Sequence, residues 1–209
     1  MKAVLISTRP EWCEKICHEI GMDKNGKPTY EKTIEVRKTK PSIPTPFKCY
    51  IYCCKAKSQW RYSDYEGAYE NSEGNIVYAQ QHVIGEFICD KVYLIKNQNS
   101  RFSVADEEQS VTNEIARQSC LDYDDMVSYL GNKDGYGWHI TDLKIYDKPK
   151  ELNEFRKLKE RIEQTCVCLS NNGLCNAARY EELCDNIKKC CFKEPNAPHS
   201  WCYVQELEE

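Results

Sequence analysis

Hydrophobic positions recur along this chain with two periods, and each change of period marks an element. Lys2–Ser7 is a short apolar run and predicts a first strand. Arg9-Pro10-Glu11 reads as a helix start, because proline is tolerated at the first helical position and an acidic side chain suits the positive end of the helix dipole. Trp12, Ile16 and Ile20 follow at i, i+4 and i+8, and Gly21 closes that helix. Met22–Tyr30, rich in Asp, Lys, Asn, Gly and Pro, is expected to be a loop. Glu31–Lys40 alternates as a strand does. Pro41, Pro44 and Pro46 then break the chain before Phe47–Cys54, which is apolar on both faces and reads as a central strand.

From Lys55 to Gln81 the pattern dissolves into polar residues interleaved with Trp60, Tyr62, Tyr65 and Tyr69, an insertion or lid rather than core. His82–Ile95 predicts one long strand, with Glu86 as a carboxylate on its second face. Helices are expected over Val111–Gln118 and over Tyr123–Leu130, the latter capped by Asp122 and stopped by Gly131. Gly137–Tyr146 returns to strand, Asp147–Lys150 to turn, Leu152–Gln164 to a polar amphipathic helix, and Ser200–Val204 closes the chain as a strand. Strands interrupted by short helices, with no βαβ rhythm, no Gly-rich phosphate loop and no internal repeat, suggest an α+β protein: a mixed barrel with helices at one end.

The Glu31–Lys40 segment carries the most chemistry. Alternation sends Ile34 and Val36 one way and Thr33, Glu35 and Arg37 the other, at steps of roughly 6.5–7 Å. Lys32 and Lys38 start on the apolar side, but their long stems let the charged heads reach round. Such a row either binds a ligand or forms an exposed strand face with a cross-strand ion pair. Arg9 sits at a strand-to-helix junction, which suits an anion or a surface carboxylate partner. His139 reads as a satisfied half-buried histidine or as a ligand.

Charge narrows the partners. A net charge of −4 and a pI near 5.7 argue against coating nucleic acid by bulk electrostatics. Any such contact is local, and residues 24–48 qualify: Lys24, Lys27, Lys32, Arg37, Lys38, Lys40 and Lys48 face only Glu31 and Glu35. No apolar run approaches the ~20 residues of a bilayer span and the N-terminus shows no apolar leader, so no membrane contact and a cytoplasmic location are expected. In that compartment the 14 cysteines are read as reduced thiols or metal ligands. Cys13, Cys17, Cys49, Cys53, Cys54, Cys89 and Cys120 fall in apolar patterns and are expected as small core residues.

Several segments together resemble the ASCH branch of the PUA-like superfamily, in a form seen in bacterial and prophage proteins. They are Arg9–Ile16, Lys32–Lys38 with its Lys-Thr-x-Glu-x-Arg signature, Pro46–Cys53, Val83–Val92, Trp138–Tyr146 and Ser200–Val204. The resemblance implies a PUA-like mixed β-barrel over residues 1–150 with short flanking helices, a 55–81 insertion, a helical, cysteine-rich insertion at 151–199 and a closing strand at 200–209. It also implies a cleft between the signature strand and the first helix that binds RNA or a nucleotide. Arg9, Lys32 and Arg37 would meet phosphate, Glu35 a base amine, and Trp138 or Trp201 would stack, with Thr33, Lys38 and His139 nearby. A related branch resembles amidohydrolases that remove an acetyl group from the exocyclic amine of cytidine. Lys32 matches their lysine, while Glu35 stands where their threonine falls. Lys32 and Glu35 are therefore the candidate catalytic pair, for that reaction or for a ribonuclease. A third reading is a prophage module that binds another protein.

The tail adds a possible cofactor. Cys166-x-Cys168 and Cys190-Cys191 supply two close thiol pairs in a polar segment, with Cys175 and Cys184 as alternatives and His199 and Cys202 in reserve. Four such ligands suit a structural zinc ion; reduced thiols or disulfides are the other readings.

Overall fold

A computed structural model of the chain describes residues 1–55, 68–70, 74, 76–98, 101–155 and 197–207. The first apolar run forms strand β1 (Lys2–Thr8), and Pro10 opens helix α1 (Pro10–Cys17). The helix ends four residues before Gly21. His18 is extended, and the expected loop is a hairpin of β2 (Glu19–Met22) and β3 (Pro28–Tyr30), which leaves Ile20 exposed. Asp23 holds the hairpin turn, its Oδ1 accepting from the backbone N–H groups of Asn25 and Lys27 at 2.8 and 2.9 Å. Then come β4 (Ile34–Arg37), β5 (Phe47–Cys53), a short pair β6 (Ala68–Glu70) and β7 (Ile76–Tyr78), β8 (Val83–Cys89), β9 (Val92–Gln98) and β10 (Arg101–Val104). Helices α2 (Gln109–Ser119) and α3 (Tyr123–Leu130) precede β11 (Gly135–His139), β12 (Thr141–Lys150) and β13 (Trp201–Gln205). Asp122 caps α3 through the Asp125 N–H and Gly131 ends it, as the pattern predicts.

The strands make a five-stranded sheet in the order β12-β8-β5-β1-β13 and a four-stranded sheet in the order β10-β9-β11-β4. Only β1 and β5 run parallel within the larger sheet. Two expectations are corrected here. The His82–Ile95 and Gly137–Tyr146 stretches are not single strands: each breaks, at Asp90-Lys91 and at Ile140, and passes from one sheet to the other. None of the sheets closes into a barrel; two sheets face each other and the chain turns corners between them. Gly85 permits one close approach, since a Cβ there would lie 2.6 Å from the Lys144 carbonyl. The expected Asp147–Lys150 turn lies within β12, and of the expected 152–164 helix the described residues hold one 3-10 turn, Leu152–Glu154.

Three apolar clusters follow from this layering. Val4, Ile6, Ile16, Phe47, Ile51, Phe87 and Trp138 pack between the sheets. Leu5, Tyr50, Tyr52 and Phe155 cover the outer face of the larger sheet, and α2 and α3 cover the smaller one over Ile34, Val36, Ile95, Ile115 and Met126. Among the described residues no helix is long and apolar enough to cross a membrane. The tail cysteines Cys166, Cys168, Cys175, Cys184, Cys190 and Cys191, and the aromatic residues Trp60, Tyr62 and Tyr65, lie outside the described residues. Among those described, no group of three or more His, Cys, Asp or Glu is placed to hold a metal ion.

Cys13, Cys49, Cys53 and Cys89 are buried, and Cys17, Cys54 and Cys120 half-buried, all as thiols. Burial pushes Cys17 and Cys89 up to about 12 and Cys13 and Cys49 well above the ordinary 9.0. Between those values the unfolded chain releases protons that the folded chain retains, so the stability present below pH 9 is lost as pH rises. Urea midpoints are expected to fall steadily from pH 8 to pH 10.5, each fully buried thiol contributing a slope of about 1.4 kcal/mol per pH unit. A flat or rising profile would contradict the burial of these thiols.

Candidate functional site

Strand β4 is buried on both faces, so its charged row is not an open surface. Alternation holds: Ile34 and Val36 join the cluster under α2 and α3, and Glu35 and Arg37 turn toward the larger sheet. Arg37 spans the gap between sheets. Its Nη1 donates to the carbonyls of Ser7 and Ser200 at 2.9 and 3.1 Å, and its Nη2 donates to Thr8 Oγ1 at 3.1 Å and meets Glu35 Oε1 at 2.8 Å. These partners lie on β1, on the approach to β13 and on β4 itself.

Lys32 completes the group from the other end of the strand. Its N–H donates to the Lys15 carbonyl on α1, and the next N–H, of Thr33, donates to the Gln118 carbonyl on α2. The residue is 2% exposed, and its ammonium donates to the Ser119 carbonyl, stands 3.5 Å from Glu35 Oε2 and lies 5.2 Å from the Trp12 ring centroid. Burial lowers its pKa, while Glu35 beside it pulls the other way. Two cations and one carboxylate therefore share a dry site with a net charge of +1.

Three buried polar atoms here lack a hydrogen-bond partner: Glu35 Oε2, Arg37 Nε and Trp138 Nε1. Trp138 lies directly opposite Glu35 in the β11–β4 ladder, and side chains of directly opposed residues project from the same face. A fourth, Ser7 Oγ, belongs to the opposite face of β1, with Leu5. Buried polar groups are almost always paired, so one acceptor and two donors on one face mark a place with unmet hydrogen-bonding capacity.

The remaining expected residues divide. Arg9 is exposed, caps α1 without a side-chain bond and lies 3.6 Å from Glu11. Lys38 is exposed and lies over the Tyr129 ring at 5.1 Å. Trp138 is fully buried, edge-on to Phe47 at 5.7 Å, so it is core and not a stacking platform. Trp201 packs 6.2 Å from Trp138 and donates through Nε1 to Thr39 Oγ1. His139 faces away from the cluster, its Nδ1 2.7 Å from Asp90 Oδ1 in the β8–β9 turn. Glu86 is also elsewhere, meeting Lys48 at 3.4 Å and accepting from Tyr146 at 2.6 Å on the outer face of the larger sheet.

Tyr129 was not foreseen. Its hydroxyl accepts from the Lys38 backbone N–H, and although burial raises its pKa, it also senses Arg37, Glu35 and Arg9. In the sequence it reads only as a polar-face residue of a capped helix.

No protein-family model matches the sequence, and no curated protein matches it. Solved structures that match include ASCH structures. One, from Zymomonas mobilis, shares 15% identity over 73% of this chain and 75% of its own, with a TM-score of 0.43. A point variant of that protein shares 12% identity over 99% of this chain and 92% of its own, with a TM-score of 0.49.

Two substitutions separate the roles of the buried cations. Arg37→Ala leaves Glu35 with only the Lys32 ammonium at 3.5 Å, removes the guanidinium's bonds to the Ser7 and Ser200 carbonyls and Thr8 Oγ1, and is expected to cost about 3–5 kcal/mol. Lys32→Met keeps the stem, leaves Glu35 paired with Arg37 and is expected to stay within about 1 kcal/mol of the parent. Denaturant midpoints measure both, and equal losses would show that the three charges act as one unit.

Proposed function

We propose that this chain binds RNA or a nucleotide through the Lys32–Glu35–Arg37 cluster, and that the cluster meets a base edge rather than a phosphate. The observation that carries this is the trio of buried atoms without a hydrogen bond. Glu35 Oε2 has only the loose contact with the Lys32 ammonium at 3.5 Å, and the Arg37 Nε–H and Trp138 Nε1–H lack acceptors. A phosphate offers mainly acceptors, which leaves Glu35 Oε2 unmet, and the terminal nitrogens of Arg37 are already committed to four protein oxygens. A nucleobase presents an amino donor beside ring and carbonyl acceptors, which is the complementary pattern. Phosphate contacts fall to the exposed Arg9 and Lys38.

Titration calorimetry with nucleosides and short single-stranded RNA tests this. Base-bearing ligands are expected to bind, Glu35→Gln to weaken them about 10–100-fold, as loss of a hydrogen bond to a charged group does, and inorganic phosphate not to compete. Full affinity in the E35Q variant, or competition by phosphate, would sink the base-edge reading.

A second reading, acyl hydrolysis, is favoured by the asymmetry of Glu35. Arg37 holds Oε1 at 2.8 Å, while Oε2 has no hydrogen bond and only the looser contact with the Lys32 ammonium at 3.5 Å, so in this reading Oε2 takes a proton from a water. That water would attack the acyl carbon, Lys32 would stabilise the oxyanion, and the amine would leave with the proton that Glu35 took up. Acetate release from cytidine acetylated on its exocyclic amine, lost in both Lys32→Met and Glu35→Gln, would support it. No release by the parent chain would remove it and leave binding as the function.

A further inference from the structure

On the other face of the smaller sheet the structure holds a cavity of about 150 Å³ that opens to solvent beside α2 and α3. Its floor is Ile95, Val104, Ile115 and Met126, all buried. These residues pack with Ile34 and Val36, so β4 itself separates the cavity from Glu35 and Arg37. Phe102 and Tyr123 form one wall, their centroids 6.0 Å apart and their planes tilted by 59°. At the rim Gln109 Nε2 donates to Asn113 Oδ1 at 3.0 Å, which leaves Asn113 Nδ2 as a donor and Gln109 Oε1 as an acceptor. Among the described residues Asp122 is the one carboxylate in the lining, and no lysine or arginine joins it.

We propose that this cavity is a binding site for a neutral, planar, six-membered ring whose edge carries both a hydrogen-bond donor and an acceptor. A space of roughly this volume admits one benzene-sized ring. The aromatic wall favours a flat π-system over an aliphatic one. Asp122, with no cation beside it, excludes an anion, and the amide pair matches a lactam or amidine edge. A pyrimidine base has this chemistry. The site is independent of the Lys32 cluster and stands whether or not that cluster binds a base.

Uracil is the probe, followed by methyl and indole NMR shifts of the full chain, with benzoate as the anionic control. A ring of this size is expected to bind on the order of millimolar, with saturable shifts at the Ile115 and Met126 methyls. Ala116→Phe, which fills the cavity, is expected to weaken binding at least tenfold. Asn113→Leu removes an exposed rim amide without touching the floor and is expected to do the same. Benzoate is expected to leave the methyls unmoved. The proposal falls if uracil moves only the Trp138 indole N–H, which would assign it to the Lys32 cluster. It also falls if no saturable shift occurs, if benzoate binds as well as uracil, or if N113L retains full affinity. If Ala116→Phe does not fold, Asn113→Leu decides alone.

Discussion

The guanidinium of Arg37 is the joint on which the two sheets depend. Between β4 and β1 there is no ladder, since β4 is an edge strand of its own sheet and β1 is paired on both sides within the other. What crosses the gap is one side chain giving hydrogen bonds to Ser7, Ser200 and Thr8. Placing a cation there carries a desolvation penalty of several kcal/mol, offset only when the counter-charge and the remaining donors are well placed. Glu35 supplies the counter-charge at 2.8 Å, which ties its conformation to the same joint.

Lys32 is then the surplus charge. The carboxylate is already neutralised by Arg37, so the lysine is stabilised mainly by a carbonyl, by Glu35 at 3.5 Å and by the Trp12 face. Desolvation dominates and its pKa is lowered. A purely structural cluster would gain from an apolar residue at position 32. The amine at position 32 is therefore not needed for the sheet joint, which Arg37 makes.

Much of this could be read along the chain. The alternation in Ile34–Arg37 sorted core from charge correctly, because side-chain direction in a strand is set by the backbone alone. The α3 caps were equally legible, since Asp122 and Gly131 act locally. The sheet corners were not. Asp90-Lys91 and Ile140 interrupt runs whose apolar pattern continues on either side, and only the partner strands decide that the chain must change sheets. The end of α1 was misplaced for a related reason: Ile20 keeps helical spacing, but the hairpin claims it. The burial of Trp138 and Arg37 was not legible because burial is a tertiary property, and Tyr129 was invisible because nothing in α3 points to β4.

The basic segment from Lys24 to Lys48 shows how linear charge density differs from charge density in space. Lys27 lies 3.5 Å from Asp142, and Lys48 sits between Glu86 and Glu206. Lys38 and Lys40 lie over Tyr129 and Tyr136. Of the seven cations, Lys32 and Arg37 are buried and Lys27 and Lys48 are paired, which leaves Lys24, Lys38 and Lys40 exposed. In a chain of net charge −4 so few exposed cations release few counterions, and long-range steering toward a polyanion is correspondingly small. At Lys32, Glu35 and Arg37, all buried, a mismatched donor or acceptor is instead penalised far more than it would be in water.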